Sequence, residues 1–179
     1  MRSKLLVSSI LAVTSVLLAQ DQRQIPPQAV ERIVKEVRHE ILMLPHYGVF
    51  DNINYSVFGY NVTLSGQVTN PTLKRDAENV VKGIEGVQKV NNQIEVLPSS
   101  SMDDELRLRL YRAIYGYPAL EKYAMPVIKP IRIIVRNGGN VTLEGVVDNK
   151  TDRDLVGLRA NGISGIFSVK NNLQVADGK

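Results

Sequence analysis

Reactive side chains at workable spacing are scarce in this sequence. Its two histidines, His39 and His46, lie seven residues apart. The first falls in a helical pattern and the second directly follows Pro45, so a helix end separates them and they have no fixed geometry for metal ligation or proton transfer. They read as surface residues. Cysteine is absent, which removes thiolate nucleophiles, thiolate metal sites and disulfides together. No serine sits in a G-x-S-x-G elbow. The glycine pairs Gly83/Gly86 and Gly162/Gly165 follow helical patterns instead of opening them, so they read as helix stops and not as phosphate cradles. Asp103-Asp104-Glu105, with Arg107, Arg109 and Arg112 downstream, reads first as acids near the positive end of a helix and bases further along. No catalytic residue, metal site or cofactor is expected.

What remains is a set of aromatic and basic residues near the loops that join helix to hairpin: Tyr47 and Phe50, then Tyr115, Tyr117, Lys122, Tyr123 and Lys129, with Arg109 and Arg112 on the neighbouring helix. Tyrosine rings suit the headgroup layer of a membrane, and Lys or Arg meets anionic phosphate there. The competing reading is that the rings cover the core or the contact between two domains.

The 179 residues carry a formal charge of +4, with 44% hydrophobic and 22% charged residues, which predicts a packed core. Residues 1–19 place Arg2 and Lys4 before the apolar run Leu5 to Leu18 and end at Ala19. They are expected to be a secretory signal peptide that is cleaved, sending the chain to the periplasm. Beyond them, residues 26–98 hold seven basic against eight acidic side chains, and residues 102–176 hold eleven against eight. Only the second stretch is basic, and too diffusely for a nucleic-acid surface.

The elements that position these residues follow from an internal repeat. Residues 61–96 align without gaps to residues 140–175 at a constant offset of 79, sharing Asn61/Asn140, Leu64/Leu143, Gly66/Gly145, Gly83/Gly162, Gly86/Gly165 and Asn92/Asn171. Each copy predicts helix, strand, strand, helix, strand. Val30, Ile33, Val37 and Ile41 recur at helical spacing, and Ile53, Tyr55 and Val57 alternate as a strand. Leu73, Ala77 and Val81 predict a second helix, with Thr72 as its N-cap. In the second copy Leu106, Leu110 and Ile114, then Ile131, Ile133 and Val135, then Leu155, Val156, Leu158 and Ile163 repeat the plan. Asn137-Gly138-Gly139-Asn140 predicts a tight hairpin turn, Asn91-Asn92 a bulge or bend, and Pro98 to Ser101 a linker.

At these residues the chain resembles the BON domain of bacterial osmotically inducible and nodulation proteins, with its V-T-L-x-G-x-V strand and its G-V-x-x-V-x-N-x-L-x-V ending. VTLSGQV at Val62 to Val68 and GVQKVNNQIEV at Gly86 to Val96 match once. VTLEGVV at Val141 to Val147 and GIFSVKNNLQV at Gly165 to Val175 match again. The resemblance implies an α+β fold of two tandem units, 26–98 and 102–176, each α-β-β-α-β with a three-stranded mixed sheet covered by two helices. It also implies a non-enzymatic envelope role in association with anionic phospholipid. The alternative is docking of an envelope protein through the Tyr-rich segment Tyr115 to Pro126, which is longer than the family pattern needs.

Overall fold

The computed structural model describes residues 26–176, so the expected signal peptide at 1–19 lies outside the described residues. In chain order the first half runs α1 (Pro27–Leu42), β1 (Asn52–Phe58), β2 (Asn61–Val68), α2 (Pro71–Lys82), β3 (Lys89–Asn92) and β4 (Glu95–Val96). The second half runs α3 (Ser101–Tyr115), a 3₁₀ helix (Pro118–Tyr123), β5 (Ile131–Arg136), β6 (Asn140–Val147), α4 (Lys150–Asn161), β7 (Ser168–Asn171) and β8 (Gln174–Val175). This is the expected α+β plan, made twice.

In each half the central strand decides the topology. β2 pairs antiparallel with β1 and parallel with both β3 and β4, and β6 does the same with β5, β7 and β8. β3 and β4 are one strand, interrupted at Gln93-Ile94, and its counterpart β7/β8 is interrupted at Asn172-Leu173. The cause is a side chain. The Asn92 amide leaves the strand direction to donate to the Lys74 carbonyl on α2 (2.8 Å), while its oxygen accepts from Ile94 N–H (3.2 Å). Asn171 repeats both bonds, to the Arg153 carbonyl (2.8 Å) and from Leu173 N–H (3.2 Å). A polar side chain competing with the ladder in this way is how a bend is pinned.

Helix stripes then close each core. Ile33, Val37 and Ile41 of α1 and Leu73, Ala77 and Val81 of α2 pack with Val62, Leu64, Val68 and Ile94. Leu106, Leu110 and Ile114 of α3 and Val156 and Ala160 of α4 pack with Ile131, Ile133, Val135 and Leu143. At about 1.5–3 kcal/mol for each fully buried aliphatic side chain, these clusters supply the main force for folding.

Local expectations are corrected at the cap of α2, in the phase of α4 and at the linker. The N-cap of α2 is Asn70, whose side chain accepts from Thr72 N–H, with Pro71 as the first helical residue, a place that suits a missing N–H. Gly83 and Gly162 do sit at the helix ends but in ordinary right-handed conformation (φ −76° at both). The positive φ occurs three residues on, at Gly86 (+91°) and Gly165 (+89°). Leu158, expected in the apolar stripe of α4, is 70% exposed, and Gly157 and Ala160 face inward instead. The linker is shorter than expected, because Ser100 caps α3 by accepting from Asp103 N–H and Ser101 is already helical.

The halves are fastened together. β5 is the outer strand of the second sheet, yet Ile133 N–H donates to the carbonyl of Val49 from the first half (2.9 Å). Arg132 donates to the Gly48 carbonyl (2.7 Å) and its guanidinium stacks over the Tyr47 ring (4.4 Å). Arg136 pairs with Glu95 at 2.6 Å. Ile134 and Leu97 are buried but belong to neither core.

Candidate functional site

The candidate residues do not gather on one surface. Tyr115 is 5% exposed, and its hydroxyl donates to the Ile131 carbonyl while accepting from Ile131 N–H (3.1 Å). Burial, opposed weakly by that bond and by Arg132, pushes its phenol well above the ordinary range. Tyr123 is 4% exposed. Its hydroxyl donates to Asp152 (2.6 Å) and accepts from Asp148 N–H (2.8 Å). Neither ring is available to a lipid or a protein partner, and this corrects the expectation that they form a contact surface. The docking of an envelope partner through the Tyr-rich segment loses Tyr115 and Tyr123 as anchors for the same reason.

Lys122 is also occupied. Its ammonium bridges Asp148 and Asp152, both at 2.7 Å, and those two bonds raise its pKa. Burial alone would discourage ionisation of Asp152, but the bonds from Lys122 and Tyr123, with the Lys122 charge, outweigh it and hold the carboxyl below its ordinary range. Together these residues clamp the 3₁₀ helix onto the start of α4, beside its N-cap Asn149. Tyr117 lies under the Arg159 guanidinium at 4.6 Å. Arg109 donates to the Ser164 carbonyl at 2.9 Å, and Arg112 is exposed on α3. Tyr47 and Phe50 belong to the seam between the halves: Phe50 meets Tyr111 edge-on (centroids 6.4 Å), and Tyr111 stacks near Tyr115 (5.0 Å).

Lys129 leads to an open apolar surface. Its ammonium donates to the Ala124 and Pro126 carbonyls, both at 2.7 Å, and so ties off the loop between the 3₁₀ helix and β5. That loop carries Met125, Val127 and Ile128 at 77%, 97% and 42% exposure. Sequence reasoning missed Val127 and Ile128, and included Met125 only within the Tyr-rich segment, because it looked for aromatic and charged residues. The available signal was the stretch Met125-Pro126-Val127-Ile128-Lys129-Pro130, apolar except for Lys129 and broken by two prolines, with no helical or strand periodicity to bury it. Beside the loop, Arg38 and Leu42 of α1 and Arg132 of β5 line a groove between the halves. Among the described residues, no group of His, Asp and Glu is placed to hold a metal ion, and no helix is long and apolar enough to cross a membrane.

A family model for the BON domain matches residues 29–98 and again residues 118–177. The chain belongs to the BON domain family. The second match begins at Pro118, after α3, although α3 packs on the second BON sheet as α1 does on the first. The connection from α3 to β5 (residues 116–130) is six residues longer than that from α1 to β1 (residues 43–51), and the clamped 3₁₀ helix and the apolar loop occupy the extra length. No curated protein matches the sequence. Among solved structures, CdsD, a structural protein of the type III secretion system of Chlamydia trachomatis, aligns at 16% identity and a TM-score of 0.29, covering 82% of this chain and 94% of that one. The C-terminal domain of CdsD aligns at 13% identity and 0.28, covering 81% and 98%. Likeness at that level decides nothing about this tandem BON chain.

Proposed function

We propose that this tandem BON protein is exported to the periplasm and attaches reversibly to anionic phospholipid surfaces of the bacterial envelope, without catalysing a reaction. The observation that carries the reading is the row of exposed apolar side chains at Met125, Val127 and Ile128 next to Lys129. An aliphatic side chain held in water forgoes about 1.5–3 kcal/mol relative to burial, so three in sequence favour transfer into a headgroup layer. Three such groups suit reversible contact and fall far short of a transmembrane anchor. The basic excess of the second half adds long-range attraction to anionic lipid, which salt will screen.

Vesicle flotation tests this. Wild type is expected to float with vesicles containing anionic lipid and much less with zwitterionic ones. Val127→Asp, at a position with no packing role, is expected to abolish flotation while leaving the thermal midpoint unchanged. Undiminished flotation of Val127→Asp would sink the assignment to this loop, and equal recovery on both vesicle types would remove the electrostatic part.

A further inference from the structure

The groove between the two halves, about 400 Å³ in volume, has Arg38, Leu42 and Asn52 on one wall and Ile128, Lys129 and Arg132 on the other. Three of its lining residues are cationic and none is acidic. Arg132 is only 8% exposed. It bonds a carbonyl and an aromatic face, but among the described residues no carboxylate pairs with it. Lys129 is held by carbonyls alone, and Arg38 has neither a hydrogen bond nor an ion pair among the described residues. Asn52 is 9% exposed, and its side-chain amide is not among the polar atoms that are both sealed from solvent and unpartnered, so the groove leaves it open to a bond from outside. Three cations lining a groove, with no acidic side chain among its lining residues, make its potential positive and attract an anion.

We propose that this groove is a binding site for a phosphate-ester anion. Arg132 and Asn52 donate from the two facing walls, Arg38 and Lys129 compensate the charge nearer solvent, and Leu42 and Ile128 receive an adjoining apolar group. Planar guanidinium donors match phosphate oxygens two at a time, which gives the preference for phosphate over a simple halide. The site deepens the membrane reading only in the source of the anion, which is either a lipid headgroup or a free phosphate ester.

The test is a titration of the full isotopically labelled chain with inorganic phosphate, with glycerol phosphate and with dihexanoyl phosphatidylglycerol below its micelle concentration. The signals followed are the Asn52 side-chain amide and the Arg132 Nε–H. Saturable shifts at both are expected, weakened about tenfold in Arg38→Gln and in Arg132→Lys, the size of one charge-assisted hydrogen bond. Arg38 is exposed and forms no hydrogen bond or ion pair among the described residues, so its variant is expected to keep the fold even if Arg132→Lys does not. A tighter diacyl arm assigns a lipid source, and equal affinity for glycerol phosphate assigns a soluble one. Either supports the site. Absence of saturable shifts at Asn52 and Arg132, or affinity unchanged in Arg38→Gln, overturns it. Val127→Asp separates the two readings: it is expected to leave the glycerol phosphate titration intact, so lost flotation with intact titration concerns the loop and not the groove.

Discussion

Gly145 sits at φ +117°, where a Cβ would collide with the carbonyl oxygen of Pro130, and Gly66 at +112° faces the Asn52 carbonyl in the same way. Backbone meets backbone at both places, so no rotamer change relieves the clash. Gly145→Ala is expected to cost about 3 kcal/mol or more, read as a lower urea midpoint at unchanged slope. A loss below about 0.5 kcal/mol would mean that the strand moves aside freely. Asp152 offers a second test. Its carboxyl is held below the ordinary value of 3.8, so it contributes stability above that value and loses it as pH falls through the lower, folded-state pKa. Wild type should therefore lose stability on acidification by more than Asp152→Asn does. Parallel acid profiles for the two proteins would contradict the clamp. The glycine positions were legible in the sequence because both copies carry them. The Lys122–Asp152 clamp was not, because Lys122 lies in a segment without a counterpart in the first copy and Asp152 comes thirty residues later, at the position that Leu73 takes in that copy.

At the scale of elements, the repeat made the strand order and the helix positions readable, since matching stripes in two copies rarely arise by accident. The phase of α4 was not readable, for a reason seen in the packing. Asn171 reaches across to the Arg153 carbonyl, and its side-chain nitrogen lies only 2.9 Å from where a Cβ on Gly157 would be. Gly157 fills the place that Glu78 holds in the first copy, where the Glu78 carboxylate accepts from Asn92, and with Gly157 facing the sheet Leu158 turns outward. Val156→Ala is accordingly expected to cost about 2 kcal/mol, and Leu158→Ala to stay within about 0.5 kcal/mol. Comparable losses from the two substitutions would refute the observed helix phase. β5 gave its own signal: Ile131 to Val135 is apolar except for Arg132, without strict alternation, as expected of a strand covered on both faces. The inward residues Ile131, Ile133 and Val135 were legible in that pattern, whereas the cover over Arg132 was not, because it comes from Gly48 and Tyr47 of the first half.

For the molecule as a whole, the fastening between halves matters more than the short tether, because hydrogen bonds, an ion pair and stacked rings join them beyond the linker. Amide relaxation is expected to give one rotational correlation time for both halves, and two distinct times would show that the seam is loose. The loop and the groove inherit this arrangement, since the groove exists only while both walls are held in place. The Val49 carbonyl on Ile133 carries a further consequence for anyone dividing the protein. A fragment starting at residue 100 would lose that acceptor and uncover Ile134, leaving a bare, sticky strand margin. Such a fragment should self-pair or precipitate as its concentration rises, whereas the intact chain, with the same margin sheathed by its own neighbour, should not.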